Sequence, residues 1–305
     1  MHPSCTPPVP LVHPSCTPTS QVGLASIFGP LCVAATALLQ RSPQEFKLAE
    51  LSIVLWAVAT AGFAAAPQAA QLFEAACSLL LHRELDESCD GHATSNLLWA
   101  LTVADVRQRA TLRRLHAHFV SLHQRGRVSR EGLAQAHQYQ LWAHLELKDA
   151  TLAFDPSMRK LCREAMEVTH AGINISGFQG HIARVLRELG LTYQLELNLS
   201  GYSVDLALPD SRVVVEVDGP HHYLYDYAPG LSIDRRQLIP DAAARVVAVN
   251  GSTMLKQRHM RAMGWRPTSI PFYEFELLHS TFNPTAVTVE HKRYVGAKLA
   301  AAKLR

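Results

Sequence analysis

The tripeptide Leu-Trp-Ala occurs three times in this 305-residue chain, around Trp56, Trp99 and Trp142, with 43 residues from each copy to the next. A period of that length corresponds to one helical hairpin, a unit that cannot bury its own apolar face and must stack on its neighbours. Ser52 and Ser95 align upstream of the first two tryptophans, and the third copy is more diverged. Residues 67–83, 106–124 and 130–147 carry apolar residues at helical spacing without strand alternation, and Pro67 suits the first position of a helix. Residues 46–170 are therefore expected to form a solenoid-like stack of α-helical repeats. The three indoles should occupy equivalent buried positions and organise the core rather than stack on bases.

The pattern then changes. Residues 150–175 read as a linking pair of helices, and residues 176–190 as an amphipathic helix with a Ser cap and a Gly stop. Strand patterns follow at 192–199, 204–208, 212–217, 245–249 and 265–271, with a helix at 252–263 and a basic terminal helix at 285–305. This order describes a compact α/β domain over residues 176–305, built on a central mixed sheet.

Within that domain the run VDLALPDSRVVVEVDGPHHY, residues 204–223, gathers Asp205, Glu216, Asp218, His221 and His222. Glu216 and Asp218 are two residues apart and project from one face of a strand. Asp205 reaches that face if the flanking strands pair through a turn at Pro209-Asp210-Ser211. Carboxylates are depleted in strands and are seldom buried unless paired or metal-bound. One reading is a divalent-metal site in which the three carboxylates hold Mg²⁺ or Mn²⁺ and a histidine serves as general acid or base. The other is a capped strand end beside an exposed histidine loop. Spacing leaves both open and demands no cofactor.

Two helices are basic. Residues 106–130 hold seven arginines, among them Arg107, Arg109, Arg113 and Arg114, and no acid. The helix at 252–263 carries Lys256, Arg258 and Arg261. Guanidinium forks suit phosphate, whereas solvated helix faces ordinarily mix both signs of charge. The net charge of +3 permits a nucleic-acid partner without requiring one.

The first 44 residues contain no acid and are rich in Ser, Thr, Pro and Ala, and HPSCTP is duplicated at 2–7 and 13–18. Residues 1–45 thus resemble a leader or organellar transit segment short of arginine, with the first 22 or so disordered. The six cysteines lie far apart without zinc spacing, which reads as reduced thiols in an intracellular, non-secreted protein. No apolar run approaches a membrane span, so no membrane partner is expected.

FQGHIARVLRELG, SVDLAL, VVVEVDGPHHY, STMLKQRHMRAMGW, SIPFYEFELL and EHKRYVGAKL, in this order over residues 176–302, resemble the RAP domain of organellar proteins. Helical repeats upstream are similar to those of algal and FAST-kinase-like members. The resemblance implies binding of mitochondrial or chloroplast RNA, with a role in its processing, stability or translation, and protein partners in organellar RNA granules. The RAP fold is in turn similar to the PD-(D/E)xK endonucleases, which implies a restriction-endonuclease-like sheet with Asp205 and Glu216 as acids and Mg²⁺ as cofactor. Asp218 stands where the nuclease motif has lysine, and His221 or His222 is the available substitute. This chain also inserts residues 224–244 where many relatives are shorter. RNA binding without catalysis leads, ahead of a metal-dependent endoribonuclease and of a helical scaffold for protein partners.

Overall fold

The computed structural model describes residues 22–85, 89–170, 176–227, 244–276 and 287–303. The duplicated HPSCTP segment and most of the insertion at 224–244 lie outside the described residues. Seven helices come first: α1 (Val22–Arg41), α2 (Leu48–Thr60), α3 (Pro67–His82), α4 (Gly91–Val103), α5 (Arg109–Gln124), α6 (Arg130–Leu145) and α7 (Pro156–His170). Local chemistry sets their starts. Asp90 Oδ1 accepts from Ala93 N at 2.8 Å, Ser129 Oγ from Gly132 N at 3.2 Å, and Pro67 opens α3. Each satisfies or dispenses with an amide that a helix start leaves unpaired.

The helices alternate between two rows. Helix α1 packs on α3 and α3 on α5, while α2 packs on α4, α4 on α6 and α6 on α7. Leu51, Leu55, Leu72, Leu97, Leu115, Phe119, Tyr139 and Trp142 fill the space between them. Trp56, Trp99 and Trp142 all fall near the C-terminal ends of the second row, on α2, α4 and α6. Their environments are graded rather than equal. Trp142 is fully buried and donates to Asp105 Oδ1 at 2.8 Å, Trp99 is 5% exposed and donates to Gln138 Oε1 at 2.5 Å, and Trp56 is 38% exposed. The Trp56 ring still packs against Trp99, at 6.4 Å between centroids. Helix α2 ends the row, so its indole lacks the lateral cover that α6 and α7 give the others.

The linking pair expected over 150–175 is one short turn, Ala150–Leu152, and the single helix α7. Pro156 explains the break. A residue before proline resists the helical region, and Asp155 instead caps the new helix by accepting from Ser157 N at 2.9 Å.

Helix α8 (Gly177–Glu188) opens the α/β part, with Ser176 Oγ accepting from Gln179 N at 3.0 Å. Strands β1 (Gln194–Leu199), β2 (Tyr202–Leu208) and β3 (Val213–Asp218) form an antiparallel meander. Strand β6 (Arg266–Pro271) adds parallel to β3 and completes the order β1-β2-β3-β6. The strand expected at 245–249 is not part of this sheet. It is β5 (Ala244–Val249), and it pairs with β4 (Tyr223–Tyr227) in a separate antiparallel ribbon. Helix α9 (Gly251–Ala262) follows the ribbon, then α10 (Phe272–Glu276) and α11 (Val289–Lys303) follow β6.

Val213, Val215 and Val217 turn to one face of the sheet, where Val185 and Leu186 of α8 and Val295 and Leu299 of α11 cover them. Val214 turns to the other, beside Tyr202, Met166 of α7 and Met260 of α9. Helix α9 belongs to both halves, since its Leu255 enters the core of the helical rows. No helix among the described residues is long and apolar enough to cross a membrane. Cys77 and Cys162 are buried thiols whose pKa burial pushes up to about 12.

Candidate functional site

Strands β2 and β3 pair Leu206 with Val215 and Leu208 with Val213, so the hairpin expected through Pro209-Asp210-Ser211 forms. Continued by one residue, that register sets Asp205 opposite Glu216. Asp205 Oδ2 accepts from the Val217 amide at 2.6 Å, and burial raises its pKa against that hydrogen bond. Glu216 is 4% exposed, and its Oε2 lies 2.6 Å from Lys256 Nζ on α9. Burial pushes the Glu216 carboxyl up to about 7, with the Lys256 charge pulling the other way. Asp218, 1% exposed, accepts from Ser269 Oγ of β6 and, at 3.3 Å, from Tyr223 Oη. His222 Nδ1 sits 3.4 Å from Asp218 Oδ1 and 3.0 Å from Thr253 Oγ1, while His221 is exposed.

Glu216 Oε1 and Asp218 Oδ1 are buried without a hydrogen bond, which are atoms a cation would accept. The rest of the donor set is spent otherwise: on a backbone amide at Asp205, on Lys256 at Glu216, and on two hydroxyls at Asp218. Among the described residues no group of three or more His, Cys, Asp or Glu is placed to hold a metal ion. The three carboxylates thus do not fit the Mg²⁺ or Mn²⁺ set expected of them. What the sequence reading missed is the source of positive charge. It is absent at position 218 and comes instead from Lys256 on α9, forty residues after Glu216. Only one signal could have found it: a carboxylate in a strand buried on both faces requires a cation from elsewhere.

The arginines expected at phosphate divide sharply. Arg107 pairs with Asp105 at 3.0 Å and Arg109 with Asp149 at 2.5 Å. Arg114 donates to the Leu81 and Arg83 carbonyls at 2.5 and 2.6 Å, closing the C-terminal end of α3. Arg113 is exposed. Arg258 donates to the Thr102 and Val103 carbonyls at 2.6 and 3.0 Å, and its Nε lies 2.7 Å from Glu146 Oε2. Arg261 is exposed and donates to Gln257 Oε1 at 3.4 Å. Lys256 and Arg258, read from the sequence as RNA contacts, are engaged within the chain.

A buried hairpin of acids, a Gly-Pro break, a basic helix and a return strand in parallel with β3 occupy one continuous stretch. Residues 215–284 match the RAP domain. Over 107 residues the chain is also 29% identical to a rice protein (Oryza sativa subsp. japonica) described as "RAP domain-containing protein, chloroplastic", which covers 35% of this chain. The chain spans 14% of the length of that relative.

The RAP domain is seated on the helical rows through α9. A Cβ on Gly251 would come within 2.0 Å of the Ala59 carbonyl at the end of α2, so only glycine permits this approach. Arg258 closes the end of α4, where the helix dipole favours a cation. His259 is fully buried, with Nδ1 2.9 Å from Tyr202 Oη and Nε2 3.5 Å from Glu146. Burial lowers its pKa to about 3, so the ring is neutral and bridges the β-sheet to α6. At the β1–β2 turn the Ser200 carbonyl meets His137 Nε2 of α6 at 2.7 Å, beside Gly201 at φ +92°.

Proposed function

We propose that this chain binds organellar RNA, in the chloroplast by analogy with its rice relative, and acts on that RNA's processing, stability or translation without cleaving it. The RAP match over residues 215–284 carries the reading. The 43-residue period and the two alternating helix rows support a repeat array upstream, whose stacked hairpins would extend the surface offered to RNA. Arg107, Arg109, Arg113 and Arg261 are exposed, while Glu216 and Asp218 are committed to Lys256 and to hydroxyls. Catalysis is the second reading, favoured by one observation: Lys256 supplies beside Glu216 the positive charge that Asp218 does not.

The test is ultraviolet crosslinking of the tagged chain in isolated chloroplasts, with sequencing of the recovered RNA. Specific transcripts enriched above an untagged control support the proposal. Recovery no greater than that control refutes it.

A further inference from the structure

At the end of β3 opposite the acids, the RAP sheet presents arginines with no carboxylate partner among the described residues. Arg212 follows the β2–β3 turn with φ +53°, a left-handed conformation uncommon outside glycine, asparagine and aspartate. Two backbone bonds hold it there: its amide donates to the Pro209 carbonyl at 3.1 Å, and its carbonyl accepts from Arg266 N at 2.7 Å. The exposed Arg212 guanidinium lies over the Trp265 ring, 5.3 Å from the centroid. Arg266 is exposed as well and donates from Nη1 to the Ser211 carbonyl at 3.2 Å. Val213 and Arg266 are register partners, so the two arginines leave adjacent strands at the same end of the sheet.

This differs from the fate of five basic residues described above. Arg107, Arg109 and Lys256 each meet an acid, and Arg114 and Arg258 each close a helix end. Arg212 and Arg266 meet only a ring face and a carbonyl, which orient a guanidinium without neutralising it. A guanidinium held over an indole face keeps its charge and its donors, which suit a phosphate oxygen pair. Asp210, in the turn, is the acid nearest in sequence, and it is paired with neither arginine.

We infer that Arg212, backed by Trp265, and Arg266, anchored on the Ser211 carbonyl, form a phosphodiester-binding fork for single-stranded RNA at the head of the RAP sheet. The inference rests on the RNA-binding reading above and names where in the domain the backbone is held.

The test titrates a fluorescein-labelled single-stranded RNA of mixed sequence against the full chain, the double variant Arg212→Gln/Arg266→Gln and the single variant Arg266→Glu, over a range of salt. Circular dichroism first establishes that each variant is folded. The double variant should bind about tenfold or more weakly, since each loses a charged hydrogen bond. Its log affinity should also fall less steeply with log salt, by about 0.7 per lost phosphate contact. Arg266→Glu should weaken binding further. Wild-type binding with unchanged affinity and slope in all variants overturns the fork and leaves the RNA reading intact. Absence of binding by the wild type overturns both. A parallel titration with labelled polyglutamate covers an acidic protein partner: loss of polyglutamate binding without loss of RNA binding in the double variant also overturns the fork.

Discussion

Lys256 Nζ of α9 lies 2.6 Å from Glu216 Oε2 in the middle of the RAP sheet, and both side chains are largely removed from water. Burial would lower the lysine pKa, but the Glu216 charge and hydrogen bond outweigh it and hold the pKa above its usual value. Such a pair matters less for what it adds than for what its rupture costs. Lys256→Met should destabilise the chain by about 3–5 kcal/mol, because an acid is left buried without a counter-charge. Restoring neutrality with Lys256→Met/Glu216→Leu should recover most of that loss. Urea denaturation of the two variants measures it, and a double variant no more stable than the single would show that the pair is not coupled.

Glu216 also sets a pH dependence. Its carboxyl titrates near 4.5 when unfolded and about 7 when folded, so the native state holds the extra proton between those values. The stability from that proton is fully present below pH 4.5 and is lost as pH rises through about 7, a change on the order of 3 kcal/mol. Asp205, also raised by burial, acts in the same direction. His259 acts in the opposite one: its depressed pKa means stability present above about 6.5 and lost as pH falls toward 3. Glu216→Gln should lower stability at every pH, since Lys256 loses its partner, but should flatten the decline between pH 5 and 8. Urea midpoints across that range report the difference.

The tryptophans predict a graded series. Trp99→Ala removes a buried indole and its bond to Gln138, and should cost about 3–5 kcal/mol. Trp56→Ala removes a ring that is 38% exposed and should cost clearly less. Equal losses in chemical denaturation would contradict the graded burial.

Much of this was readable from the chain, and what was not has a common cause. The caps at Asp90, Ser129 and Ser176, the β2–β3 hairpin and α9 all follow from interactions within a few residues, which spacing displays directly. Lys256 with Glu216 and Arg258 with Thr102 join residues 40 and 156 apart, and no periodicity encodes such pairs. Both cations were therefore read as solvent-facing. Strand β4 was missed because its YLYDY sequence follows a Gly-Pro break and a histidine pair, and read as the start of an insertion. Trp56 was expected to match Trp99 because the spacing of the Leu-Trp-Ala tripeptides does not show which helix stands at the end of a row.

Arg258 links the RAP domain to the helical rows at Thr102, Val103 and Glu146. Arg258→Ala should cost roughly 3 kcal/mol by taking from Glu146 its guanidinium partner and leaving the α4 end open. It should also weaken cooperation between the two halves, so calorimetry should show the single transition broadening or dividing. RNA affinity should change little, because this guanidinium faces the interior. A variant that is fully stable but fails to bind RNA would place Arg258 at the ligand instead.

The measurement closest to the central claim is a titration of labelled single-stranded RNA with the full chain, performed in chelator and in Mg²⁺, with the RNA recovered and sized afterwards. The account predicts saturable binding of equal strength in both, weakening with salt, unchanged by Glu216→Gln, and RNA of unaltered length. Failure to bind in low salt, or Mg²⁺-dependent shortening that Glu216→Gln abolishes, would contradict it.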